Sequence, residues 1–211
     1  MRHERTTGPH LRVQLSEWFL VAGNAVGEVG HDPRSSKSVV AEQRFRWTEP
    51  MTETVSIRPL RVTDAGEMAI VLADRDLYEF TGGEPPSRSE LERRYAAQVR
   101  GHSADGTEVW INHVVVAGGQ QAAVGYVQAT VPAGGGPAEI AWVIGRPWQR
   151  HGYATRAASL LLEELRARGM EVIVAHIHPN HEASQRIARH LGLQPTQITE
   201  DGETRWVGRV G

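Results

Sequence analysis

The stretch AEIAWVIGRPWQRHGYATRAASLLLEEL, residues 138–165, limits the fold more than any other part of the chain. Residues 138–144 read as a strand, and Ala154, Ala158, Leu161 and Leu165 recur at the spacing of one helix face. Between them lies a polar, basic loop containing glycine. A strand feeding a helix in this way needs a sheet for the helix to pack on. The first turn of that helix also has N–H groups with no intrahelical acceptor, at the positive end of the helix dipole. Gly152 lets a ligand approach the backbone, small Ala154 keeps the first turn clear, and Arg150 adds a full positive charge. The combination predicts an anion site, most naturally for a phosphate or pyrophosphate.

The remaining elements follow from residue 51 onward. VSIRPL reads as a strand. Asp64 with Glu67 predicts a capping box opening a helix toward Asp74, and Ser87 with Glu90 predicts another for a helix ending near Arg100. VWINHVVVAG and AAVGYVQATV alternate as two strands of a hairpin turning at GGQQ. After the loop-led helix, stopped by Gly169, come a strand EVIVAHIH, a helix HEASQRIARHL ending at Gly192, and a last strand TRWVGRV. The predicted order is β-α-α-β-β-β-α-β-α-β, an α/β domain with one mixed central sheet flanked by helices. Residues 1–50 carry no sustained period. They read as an N-terminal extension, disordered or non-native, ahead of a domain over residues 51–211.

Composition excludes several functions. The chain has no cysteine, which removes disulfides, thiolate metal sites and a cysteine acyl-enzyme, and which fits a cytoplasmic protein. Lys37 is its one lysine, so a phosphate-binding P-loop has no lysine to use. A net charge of −2 gives no field for nucleic acid, and no apolar run approaches the ~20 residues that span a bilayer.

The motif QRHGYA matches the [QR]-x-x-G-x-[GA] signature of acyl-CoA-binding GNAT N-acyltransferases. AEIAWVI stands where that family places the preceding strand, and HPNHEASQRIARHLGL is similar to its later N-x-x-x-S…LG segment. The chain most resembles the branch containing ribosomal-protein alanine N-acetyltransferases, over most of residues 51–210. The resemblance implies acetyl-CoA as cosubstrate, with its pyrophosphate on the backbone of Gln149, Arg150, His151, Gly152, Tyr153, Ala154 and Thr155. It implies a pantetheine arm along Trp142, Val143 and Ile144, with Asn180 and Ser184 near the thioester. Transfer would go directly to a primary amine on a small molecule or a protein N-terminus, in a monomer or homodimer.

Such a transfer needs a base for the amine, donors for the oxyanion and an acid for the departing thiolate. Glu139, on the strand face shared with Ala141 and Val143, is the expected base, with His178 second; the N–H groups of Val143 and Ile144 are the expected donors. Many relatives carry an acidic tyrosine where this chain has Ala188, so Ser184 is the expected acid. The run HIHPNH places His176 and His178 on one strand face, yet lacks a carboxylate partner in the sequence, and no metal is expected. Tyr78, Phe80, Trp110 and His113 are candidates for an acceptor wall. Loss of the tyrosine keeps open an idle acyl-CoA-binding or sensing domain.

Overall fold

The computed structural model describes residues 54–210; the expectations for residues 1–50 lie outside them. The elements are β1 (Val55–Pro59), α1 (Ala65–Val71), α2 (Arg88–Gln98), β2 (Glu108–Ala117), β3 (Ala122–Pro132), β4 (Ala138–Ile144), α3 (Tyr153–Ala167), β5 (Val172–Ile177), α4 (Glu182–His190), β6 (Gln194–Glu200) and β7 (Glu203–Arg209). They form a seven-stranded sheet in the order β1-β2-β3-β4-β5-β7-β6. β4 and β5 run parallel, and every other pair is antiparallel. The α/β class and the predicted order hold, with one strand added. QPTQITE has no apolar alternation and so gives no sign of β6, a largely exposed edge strand that among the described residues pairs only with β7, with an irregular register between Pro195 and Thr199.

Each face of the sheet has its own core. On one face Tyr153, Ala157, Leu161 and Leu165 of α3 and Ala188 of α4 pack on Ile140, Ile144, Ile173 and Ala175. Full burial of a leucine such as Leu161 or Leu165 contributes about 1.5–3 kcal/mol. On the other face Met68 and Val71 of α1 and Leu91 and Tyr95 of α2 pack on Val114, Val116 and Ala123. Alternation thus sends odd and even residues of one strand into different cores.

The predicted capping box at Ser87 is present: Glu90 N–H donates to Ser87 Oγ, and Ser87 N–H to Glu90 Oε2 at 2.7 Å. The one predicted at Asp64 is not. Asp64 closes a short 3-10 turn, where its carboxylate accepts from Arg61 N–H at 2.8 Å and takes the Arg58 guanidinium at 2.8 and 3.0 Å. Glu67 reaches across the sheet edge to accept from Ala123 N–H at 2.8 Å. The Arg58 guanidinium drew the nearly buried Asp64 carboxylate away from the cap, and a sheet amide drew Glu67.

β3 and β4 approach unusually closely at Gly125. A Cβ there would strike the Val143 carbonyl oxygen and lie 2.8 Å from Ile144 Cδ1. Gly125→Ala is expected to cost about 1–3 kcal/mol, the penalty of overpacking. Thermal unfolding should register this as a fall of about 2–4 °C per kcal/mol.

Candidate active site

The site begins where β4 and β5 part. They pair at Ala138↔Ile173 and Glu139↔Val174 and nowhere beyond, while β4 stays paired to β3 as far as Ile144 and β5 to β7 as far as Ile177. The hydrogen bond from Gly145 N–H to Val124 C=O, 2.9 Å, fixes the phase of the β3–β4 ladder. In an antiparallel pair the direction of the backbone groups alternates. Odd-numbered residues 139–143 therefore turn their amides to β3. Trp142 and Ile144 turn theirs to the gap, without a strand partner. This corrects one expectation: the Val143 N–H is committed to β3, and Trp142 joins Ile144 as a gap-facing donor.

β4 runs through Gly145 and a short 3-10 turn (Arg146–Trp148) into the loop before α3. The loop carries two left-handed residues, Arg150 (φ 68°) and Gly152 (φ 77°), and Gly152 is the N-cap of α3. A left-handed arginine costs on the order of 1–2 kcal/mol. No atom lies within 4 Å of where a Gly152 Cβ would stand, so the glycine serves the backbone angle and leaves the space in front of the helix open. The first backbone donor after the loop is Arg156 N–H, to Gly152 C=O at 3.0 Å. Among the described residues, the N–H groups of residues 150–155 have no acceptor. Gln149 stands apart from that run: its N–H donates to Arg146 C=O, and its side chain donates to Ile144 C=O at 3.0 Å. Tyr153 is buried in the α3 core and offers only its backbone; the His151 ring stacks beside it at 5.4 Å. Ala154 and Thr155 are half-buried, while Arg150 is exposed.

On the opposite face of the sheet, at the root of the gap, Glu139 Oε1 is 2.7 Å from His176 Nδ1. The carboxylate partner that the sequence reading found missing from the histidine run comes from the neighbouring parallel strand. Parallel strands have no short connection to reveal their register, so this pairing had no local sequence signal. His178 and His181 face Phe80, with ring centroids at 5.2 and 4.6 Å, and this cluster joins the segment after α1 to the β5–α4 turn. Burial, aided by repulsion from His178 and opposed by attraction to Glu79, holds His181 below the ordinary imidazole pKa. Among the described residues no three His, Asp or Glu are disposed to hold a metal.

Asn180 lies exposed in the turn, and His181 takes the N-cap of α4, so Asn180 is not on the helix with Ser184. Ser184 is half-buried, and among the described residues its hydroxyl has no partner. Ala188 is fully buried in the α3-side core. Of the expected acceptor wall, Tyr78 is core: its hydroxyl donates to Leu72 C=O, and burial pushes its phenol up to about 12. Phe80 lies against the rings of His178 and His181. Trp110 donates to Glu108. His113 points the other way, into the α3 face, where its Nε2 meets Glu164 Oε2 at 2.6 Å. Tyr126, opposite Val143, lies on the same face as Glu139, and burial raises its phenol pKa.

The family profile described as "Acetyltransferase (GNAT) domain" matches residues 54–194. The chain therefore belongs to the GNAT acetyltransferase family, and its class is that of an enzyme transferring an acetyl group from acetyl-CoA. Solved structures share the fold. RimL, a ribosomal-protein alpha-N-acetyltransferase in complex with coenzyme A, aligns with a TM-score of 0.62 at 14% identity over 74% of this chain and 94% of its own. An aminoglycoside acetyltransferase in complex with coenzyme A gives 0.60 at 17%, over 74% and 95%. A chimera built on the spermidine N-acetyltransferase of Vibrio cholerae gives 0.60 at 16%, over 74% and 95%. No curated protein matches the chain closely enough in sequence to count as a relative.

The His113–Glu164 pair yields a pH prediction. Burial works to raise the Glu164 carboxyl, but hydrogen bonds from Arg168 and His113 outweigh it, and the folded-state pKa lies below the ordinary carboxylate value. A lowered folded pKa stabilises above the unfolded value and loses that contribution as pH falls through the folded one. Glu164→Gln should therefore reduce the drop in urea midpoint between pH 6 and the acid range below about 4.3. An unchanged acid sensitivity in this variant would contradict the assignment.

Proposed function

We propose that the protein transfers the acetyl group of acetyl-CoA directly to a primary amine, with residues 150–155 holding the pyrophosphate and Trp142 and Ile144 lining the pantetheine arm. The observation that carries this reading is the bare N–H run on a left-handed loop at the N-terminus of α3. Such a run, beside Arg150, binds anions through oriented donors and the helix dipole. The gap-facing amides of Trp142 and Ile144 supply the strand edge on which an amide-bearing arm can pair and which can stabilise an oxyanion.

The amine attacks the thioester carbonyl, the C–S bond breaks, and one proton leaves the nitrogen while one reaches the sulfur. Glu139 belongs to the group that receives the first proton. Ser184, whose hydroxyl has no partner among the described residues, delivers the second. With no cysteine in the chain there is no thiol relay, so both substrates occupy the site together. The acceptor is an amine on a small molecule or a protein N-terminus. The structural neighbours named above act on polyamine, aminoglycoside and protein acceptors. The acyltransferase unit is residues 51–211, with residues 1–50 as an extension.

Calorimetric titration of acetyl-CoA into the full chain and into residues 51–211 should give binding to both. In Gly152→Trp the indole fills the open space before α3, and affinity should fall at least about 100-fold, ~2.7 kcal/mol. Absence of binding to folded wild-type chain overturns the reading. Release of free CoA should then depend on an amine, screened with spermidine, paromomycin and an alanine-terminated peptide. Binding with no turnover on any amine would leave an acyl-CoA-binding domain, the outcome that buried Ala188 at the usual tyrosine position would favour.

A further inference from the structure

We infer that the atom receiving the amine proton is His176 Nε2, and that Glu139 acts through His176 as a positioning residue rather than as the base itself. The inference rests on the acyl-transfer reading above and deepens it.

Two observations carry it. Glu139 Oε1 occupies His176 Nδ1 at 2.7 Å. A carboxylate accepts only, so Nδ1 carries the proton and Nε2 is left with a bare lone pair. Among the described residues, that Nε2 is buried and has no hydrogen-bond partner. A buried nitrogen with a free lone pair is an unmet acceptor, and such groups are rare unless something arrives to use them. Its place decides what arrives. His176 lies two residues beyond Val174, the last residue of β5 to pair with β4, on the face that carries Glu139. It is therefore set where the two strands part.

The fold holds an internal contrast. His113 and Glu164 form a pair of the same kind, 2.6 Å apart, and among the described residues His113 Nδ1 is equally buried and unpartnered. That pair joins β2 to α3 on the opposite face of the sheet, away from the parting of β4 and β5. An unpartnered imidazole nitrogen alone does not make a base; one at the parting of β4 and β5 does.

The step balances simply. As the amine nitrogen bonds to the carbonyl carbon, its proton passes to Nε2, directly or through one water, and the imidazolium is stabilised by Glu139. The C–S bond breaks, the thiolate takes a proton from Ser184, and solvent returns the imidazole proton to the serine. The charged groups facing His176 are Glu139 from β4, Arg205 directly across on β7 and, along its own strand, His178.

The test uses the full chain. Long-range 1H–15N spectra of the wild type report the tautomer of His176 without any substrate. His176→Asn keeps a donor for Glu139 but removes the base. Acetyl-CoA affinity, hydrolysis of acetyl-CoA in the absence of amine, and the pH profile of kcat/KM with the fastest amine of the screen are then compared. The expected results are Nδ1–H with Nε2 bare, unchanged acetyl-CoA affinity in His176→Asn, a rate loss of about 10²–10⁴-fold and disappearance of the acidic limb. Glu139→Gln should lose the tautomer preference and retain part of the rate. His113→Asn should lower stability and leave the limb in place. A proton on Nε2 in the wild type, or His176→Asn hydrolysing and transferring within about threefold of the wild type, overturns the assignment. Failure of the wild type to bind acetyl-CoA would instead count against the acyl-transfer reading, because the tautomer is read without it.

Discussion

The structure turns on how little β4 and β5 share. Parallel strands are held by slanted, evenly spaced hydrogen bonds, and here the ladder stops after Glu139↔Val174. Each strand is secured on its far side, β4 to β3 and β5 to β7, so the gap costs no unfolding of either. What the gap leaves, among the described residues, is the amides of Trp142 and Ile144 without a strand partner. Backbone groups in a sheet interior normally find partners, and an opening of this kind is stable because water or a ligand can satisfy it.

The α3 loop lies at the end of the same strand, and the same logic shapes it. Arg150 and Gly152 both adopt left-handed backbone, which directs the chain into the helix while keeping the N–H groups of residues 150–155 clear of internal acceptors. A loop optimised for stability alone would cap those donors with Ser, Thr or Asp. At the N-cap stands Gly152, with no side chain to compete for them. The left-handed Arg150 and the unmet donors therefore collect in one segment, where a bound anion would satisfy the donors.

Much of this was legible in the sequence because it is local. The α3 stripe, the Gly152 loop, the Ser87 cap and the β2–β3 hairpin each depend on residues a few positions apart, and each formed as read. Distant partners were not legible. Asp64, at a position whose sequence suits a cap, pairs with Arg58 instead, while Glu67 reaches Ala123 and Glu139 meets His176 across a parallel register with no turn to fix it. β6 escaped for another reason: an edge strand in solvent needs no apolar face, so its residues give no period. Direction within a ladder was the remaining blind spot. Alternation gave the face of Val143 correctly, whereas its N–H direction depends on phase with β3.

The narrow join between β4 and β5 also divides the sheet mechanically. Strands β1 to β4 form one fully laddered panel, β5 to β7 another, and two residue pairs fasten them. Within a panel, any change of spacing breaks hydrogen bonds; between panels, rotation about the join breaks few. The strand hydrogen bonds that set the width of the gap are therefore only those around Glu139 and Val174, and the α3 core that packs on both β4 and β5 supplies the rest of the hold. A molecule pairing with both edges would act as a missing strand, making two panels into one stiff sheet.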